Sequence, residues 1–538
     1  MATTTTIPDY IAPSLSTNSV PHFNFQGLST PTPTITATTL ETSPAWPPAV
    51  DQEALINTFY SNFYASHPFL VPRRHYTSQN YPDYLNLTIC FIGSHYTNHQ
   101  TLAATSILHD AVATATALAP PDPQTVHRVQ ALTLYATILH ARHESHNAQT
   151  VILRAATIAL ALGMDSPSFA QDNAAGNPLV EESLRRTWWE LYIIDLYIAA
   201  LHRQPTCGIK GARKSSVKDY HLPNSQLFFE AGLGDPHPLT TLRTFEDRAF
   251  ASNSTRMDQD PHFSSHGYRV EAIRLVDRVM CLSETANTDK IEATDAALAA
   301  WRLHSSSSPP LITPGGDIDP LLFQAHFFIH TASIFLHFPR SDLPLTVPSS
   351  SQAIDTTCAK AHTRLTSSTS GAQMHTMKAV AASRGICSLA AIPWPLELHS
   401  PFFVCAVILA CIVQLAAASV SQGRRSQDVD DGKLLEAYRD RVLLLVWLIA
   451  AYLPRYCMTC LLILVLQLGA LRLLGERWAV AQSALHYLRL IAEGIFTTRE
   501  QSLSDIVIAD AAQADDFTNV SWFDLFTPDE LEDTLVFG

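Results

Sequence analysis

Residues 181–209 read EESLRRTWWELYIIDLYIAALHRQPTCGI. Helical spacing puts Leu184, Trp188, Leu191 and Tyr192 on one side of this stretch and Trp189, Ile193, Leu196 and Ala200 on another. A helix that is apolar nearly all round has no face left for water, so it runs through the middle of a protein and other elements must surround it. Its start is polar. Glu181–Arg185 and Glu182–Arg186 are i,i+4 pairs with the acid first, an order that contributes about 0.2–0.5 kcal/mol per pair on an exposed helix. Asp195 interrupts the apolar run. A buried carboxylate without a partner is costly, so Asp195 must be paired or protonated, and its partners are backbone amides or Arg203 in the loop that follows.

The surrounding chain supplies helices rather than strands. QEALINTFYSNFYASHPFLVP spaces Leu55, Phe59 and Phe63 by four residues and stops at Pro68. VHRVQALTLYATILHARH and NAQTVILRAATIALALGM both repeat apolar residues at three and four, which predicts a helical hairpin closed by Gly163 as a C-cap. Further helices are expected in RVEAIRLVDRVMCLSE, DAALAAWRLH and PLLFQAHFFIHTASIFLHFPR, with a weaker, polar one in SSSQAIDTTCAKAHTRLTSSTSG. Residues 230–265 lack periodicity and read as an irregular insertion. No strand alternation or Asn-Gly hairpin signal runs through the core, so the fold class is all-α. Residues 1–50 are rich in Thr, Ser and Pro with few core formers and read as disordered; 51–499 read as the helical body. The N-terminal stretch has neither a basic nor an apolar region of the secretory kind.

Two apolar runs demand a decision. PFFVCAVILACIVQLAAASV (401–420) is uncharged for twenty residues, long enough to span a bilayer, but Gln414 and its small residues suit a buried helix. The second run, 441–475, is broken by Pro454 and Arg455. Removing 445–467 joins RDRVLL to LGALRLLGERWAVAQSALHYLRLIAEGIF as one amphipathic helix, so 445–467 has the texture of a retained in-frame intron. The Cys457-Met-Thr-Cys460 within it is a single C-x-x-C without a second pair, which is weak evidence for zinc.

The search for chemistry finds no Gly-rich phosphate loop, no HExxH and no nucleophile elbow, and therefore no enzyme and no cofactor. His326 and His330 lie four apart on an expected helix, with His337 beyond, but no third metal ligand is placed by spacing; these three, like His140 and His143, read as core histidines. The formal net charge of −14 excludes nucleic-acid binding by overall charge; VPRRHY and IKGARKSSVK are short basic stretches that read as solvated loops. After Arg499 no Lys, Arg or His occurs. In 500–538 acidic residues alternate with Trp522, Phe523, Leu525 and Phe526, a mix suited to an activation segment whose aromatics dock in a coactivator groove.

The hairpin, the polar loop and the central helix together resemble the middle homology region of fungal-specific transcription factors. That family has an A-x-x-LGLH-x-D helix end, an E-x-x-RRR-x-WW-x-LY-x-x-D helix and an x-GRP-x-x-I loop. Leu162, Gly163 and Asp165 match the first element; Arg185, Arg186, Trp188, Trp189, Leu191, Tyr192 and Asp195 match the second; Arg203, Pro205 and Ile209 match the loop, with Gln204 shifting its spacing. The resemblance covers about residues 51–495. It implies an all-helical regulatory domain, a nuclear location, control of transcription, no catalysis, a small-molecule effector or partner protein, and for many members a role in secondary-metabolite gene clusters. Family members usually begin with a six-cysteine cluster binding two zinc ions. This chain has no cysteine before Cys90 and no basic N-terminal run, so direct DNA binding is not carried over. Either an upstream exon supplies that cluster, or the protein acts as a coregulator or scaffold through a DNA-binding partner and the transcription machinery; a membrane role is not expected.

Overall fold

The computed structural model describes residues 51–97, 102–117, 125–203, 208–209, 217–233, 239–249, 263–282, 288–305, 310–313, 315–343, 371–425 and 467–491. All of them belong to one unit, residues 46–538. The expectations for 1–50, for 445–466 and for 500–538, including Trp522, Phe523, Leu525 and Phe526, lie outside the described residues, as does Pro205.

The described residues are helical, with no strand among them and two isolated bridges, His221 to Thr241 and Ile312 to Ile318. In chain order the helices are α1 (Gln52–Asn62), α2 (Asp83–Ser94), α3 (Leu102–Thr116), α4 (Val126–Ala141), α5 (Ser145–Ala161), α6 (Phe169–Asn173), α7 (Pro178–Leu201), α8 (Gln226–Ala231), α9 (Leu242–Ala249), α10 (Ser265–Met280), α11 (Thr288–Ser305), α12 (Pro320–His337), α13 (Ala372–Ala390) and α14 (Phe403–Arg425). Two more helical segments follow at 467–475 and 479–491. The stretch expected to be irregular, 230–265, is corrected by α9. Its apolar residues Leu242 and Phe245, three apart and so on one face, are fully buried; within an otherwise polar stretch these two are too few to stand out as a period in sequence.

The expected hairpin is α4 packed on α5. It is closed by the Gly163 signal. With φ +74°, Gly163 turns the chain left-handed, its amide reaches Leu160 O and the Met164 amide reaches Ala159 O, which is the Schellman arrangement. Helix α7 packs against α4, α5 and α10, as its all-round apolarity requires, and from Leu184 to Leu201 every residue of it is buried. On the far side α10 lies along α12, α12 along α13, and α13 along α14. The run 401–420 becomes α14, buried along 403–417 except for partly exposed Ile412. One helix among the described residues, 320–340, is long and apolar enough to cross a membrane by length and composition, and 89% of its apolar window is buried inside the protein. The segment 467–491 closes the fold: Trp478 packs between His95 and Tyr96 at the end of α2, and Arg477 donates from Nε to His95 O at 3.2 Å.

Candidate functional site

Helix α7 begins where Asn177 caps it, its side chain accepting from the Leu179 and Val180 amides, with Pro178 in the first turn. Its first two turns hold a buried ionic network instead of the surface pairs expected. Arg185 bridges Glu181 and Glu182; Arg186 donates from Nε to Glu182 Oε1 at 2.7 Å. Arg186 also donates to Pro68 O, Asn224 O and Gln226 Oε1, and its guanidinium covers the Phe229 ring at 4.0 Å. Glu182 Oε1 takes the Asn224 amide as well. Arg186 is 1% exposed. A surface estimate of a few tenths of a kcal/mol is therefore the wrong scale, since removing one member of a buried pair strands the other.

The two tryptophans separate. The Trp189 indole donates to His221 O at 2.8 Å and meets Tyr192 and Tyr220 edge-on; Trp188 stacks on Tyr220 at 5.9 Å. Trp188, Trp189, Tyr220 and His221, with Met164, Ser166, Phe169, Leu184 and Arg185, line a shallow groove beside the Gly163 turn. Asp195 takes the backbone amides foreseen for it: Oδ1 accepts from the Gly208 amide at 3.2 Å and Oδ2 from the Ile209 amide at 2.8 Å. Arg203 takes a left-handed conformation, φ +58°, just past the end of α7, and its guanidinium lies over Phe335 at 3.9 Å. Burial lowers its pKa to about 9. The structure thus brings Arg185, Arg186, Trp188, Trp189, Tyr192, Asp195 and Arg203 onto one helix and its exit; Arg186, Trp188, Trp189, Asp195 and Arg203 tie it to neighbouring segments, while Arg185 and Tyr192 contact Glu181, Glu182 and Trp189 of α7 itself.

Sequence reasoning missed the centre of the molecule. Glu190, one turn before Asp195, receives Arg269 of α10 through two N–H bonds of 2.6 and 2.9 Å and the His67 ring at 2.7 Å. The other nitrogen of His67 faces Ser400 Oγ at 3.0 Å. Burial alone would raise the Glu190 carboxyl, but Arg269 and His67 overcome it and hold it well below the usual carboxylate range. Burial lowers His67, and burial with Arg186 and Arg269 lowers His266 beside it, so both rings stay neutral at pH 7. Ser400, His67 and Glu190 have the spacing of a nucleophile, base and orienting acid. None of the three is more than 3% exposed, and Glu190 is engaged by Arg269, so in this conformation Ser400 is closed to a substrate. The arrangement is a four-way tie between the turn after α1, α7, α10 and the start of α14. Residues 67, 190, 269 and 400 share no local spacing; the only legible sign was an acid, Glu190, inside an apolar run.

The other candidates are also structural. Burial lowers His326 to about 4 and His330 to about 3, and a Cβ on Gly385 of α13 would collide with the His330 ring. His140 faces Cys405 Sγ at 3.1 Å. His337 bonds Asp295 and His375. Among the described residues no group of three or more His, Cys, Asp or Glu side chains is placed to hold a metal ion.

Comparison with known proteins agrees with this anatomy. Residues 53–261 match the fungal specific transcription factor domain, a span that runs from α1 through α9. The C6 finger domain transcription factor iacK of Pestalotiopsis fici is 28% identical over 383 residues, which are 70% of this chain and 54% of that protein. The chain thus spans about half the length of this curated relative. No solved structure matches the chain. Residues 53–261, built around the Arg-Arg-Thr-Trp-Trp helix α7 and the hairpin α4–α5, are thus similar to the fungal specific transcription factor domain.

Proposed function

We propose that the chain is a nuclear regulator of transcription, made of the helical body 51–499 and an acidic–hydrophobic tail, 500–538, that recruits the transcription machinery and activates a secondary-metabolite gene cluster. The observation that carries the reading is the domain match over 53–261, with α7 and its buried Arg185–Arg186 network at its centre. The relative named as a C6 finger transcription factor supports it. Catalysis has no part in this reading: the nucleophile–base–acid arrangement found among the described residues, Ser400–His67–Glu190, is buried and serves as a tie. The tail is tested by fusing 500–538 to a foreign DNA-binding domain upstream of a reporter. Activation that falls when Trp522, Phe523, Leu525 and Phe526 are replaced by Ala supports the reading; a silent fusion removes the activating tail from it.

A second reading is a coregulator that reaches promoters through a DNA-binding partner. Chromatin immunoprecipitation of the full chain separates the two. Promoter occupancy that disappears when a co-purifying DNA-binding protein is deleted supports the coregulator; occupancy that survives every such deletion supports direct binding.

A further inference from the structure

The cluster at the C-terminal end of α12 is a chain of hydrogen bonds with a readable direction. Asp295 of α11 is engaged by Lys378 of α13 and by His337 Nε2 at 3.0 Å. A carboxylate only accepts, so His337 Nε2 carries the hydrogen. Its Nδ1 is then the bare acceptor, and it lies 2.8 Å from Nδ1 of His375 on α13, which must donate. One imidazole, 2% exposed, therefore pins α11, α12 and α13 together, and the next basic nitrogen along the chain is Nε2 of His375. The surroundings are cationic. Lys378 and Arg302 act on His337, Arg340 and Lys378 act on His375, and Asp295 is the carboxylate that acts on both. A proton added to either ring brings positive charge beside Lys378, and one added at His337 Nδ1 also removes the acceptor that His375 uses.

We propose that Asp295, His337 and His375 form an acid-labile latch, so that proton uptake releases the early turns of α11 and α13 from each other while the rest of the helical body stays folded. Burial, with His337, Arg340 and Lys378 adding to it, lowers His375 to about 4, and burial also lowers His337; the neutral rings are the folded form. Because both values lie below the ordinary histidine value, the stabilisation is complete above about pH 6.5 and drains away as pH falls toward 4. The remaining joints of α13, against α12 and α14, are built on Ala379, Ala382, Ile386 and Leu389, with Gln414 bonded to Ser383; the titratable group there is His330 of α12, which lies against Gly385, two to three turns beyond His375.

Hydrogen exchange on the full chain at pH 7.5 and 5.5, corrected for intrinsic rates, tests the latch. Protection in peptides covering 288–296 and 371–379 is expected to fall roughly tenfold, the ceiling of one proton per pH unit discounted for a partly exposed ring, with the α4–α5 hairpin unchanged. His375→Gln keeps a donor toward His337 but removes one of the two titrating rings, and its pH response should be clearly weaker than that of the natural chain. Lys378→Met, with one cation fewer, should show a weaker response than the natural chain. Uniform loss of protection across all helices, no loss at all, or an undiminished response in His375→Gln overturns the latch.

Discussion

Arg269→Met is the sharpest perturbation this structure offers. The substitution keeps most of the side-chain volume and removes the charge that faces Glu190. Glu190 is 3% exposed and Arg269 1%, so the carboxylate left behind has water nowhere within reach and only the His67 ring as a donor. Breaking a buried, hydrogen-bonded pair from one side costs about 3–5 kcal/mol, against about 5–15 kcal/mol for a whole folded protein. The pH dependence should change sign. In the natural chain Glu190 is held below the ordinary range, so its contribution is present above about pH 4.5 and is lost as pH falls below that. In Arg269→Met burial is no longer outweighed by the guanidinium, and the Glu190 carboxyl rises above its ordinary value. His67 is also released from the charge of Arg269, one of the causes that lower it. Glu190 then takes up a proton more readily folded than unfolded, so the variant gains stability as pH falls from 7.5 to 5.5. The assay is urea unfolding followed by tryptophan fluorescence, with Trp188 and Trp189 on the same helix as Glu190. The gap between variant and natural chain should be widest at pH 7.5 and narrower at pH 5.5. Adding Glu190→Gln should recover part of the loss, because it removes the stranded charge. A loss under about 1 kcal/mol, a gap independent of pH, or a double variant no better than Arg269→Met would refute the reasoning.

Three other outcomes follow from the packing. Gly385→Ala places a Cβ on the His330 ring, forces α12 and α13 apart and should cost about 1–3 kcal/mol in denaturant unfolding; His330→Ala in the same chain should restore most of it. Asp195→Asn replaces one accepting oxygen with a donor facing the amides of Gly208 and Ile209, and should cost about 1–3 kcal/mol with faster hydrogen exchange confined to those amides. Deleting 445–467 should leave the melting temperature of the helical body within a few degrees, because it joins RDRVLL to LGALRLLGERWAVAQSALHYLRLIAEGIF as one amphipathic helix; transcripts that skip these codons would explain the deletion's mildness, and a deletion that fails to fold removes the idea of a retained intron.

The sequence by itself determined the class and the centre of this protein. The all-round apolarity of 184–201 required a buried helix, the three-and-four spacing of 126–161 required a hairpin, and Gly163 marked its turn; each is a periodic or local signal, and each stands in the structure. The resemblance in the Arg-Arg-x-Trp-Trp helix was legible for the same reason, since its residues are neighbours along one chain segment. The need of Asp195 for a partner was legible too, though not the choice of backbone amides. Only the tertiary structure decided what surrounds these residues. The pairing of Glu190 with Arg269, His67 and Ser400 joins positions up to 333 residues apart, and no spacing along the chain encodes such a meeting. It also turned Glu181–Arg185 and Glu182–Arg186 from surface pairs into a buried network, because the Pro68 carbonyl and the Asn224–Phe229 segment close over them. Helical periodicity tells which residues face inward. What they face, and hence whether a charge is cheap or costly, depends on chain segments that meet only after folding.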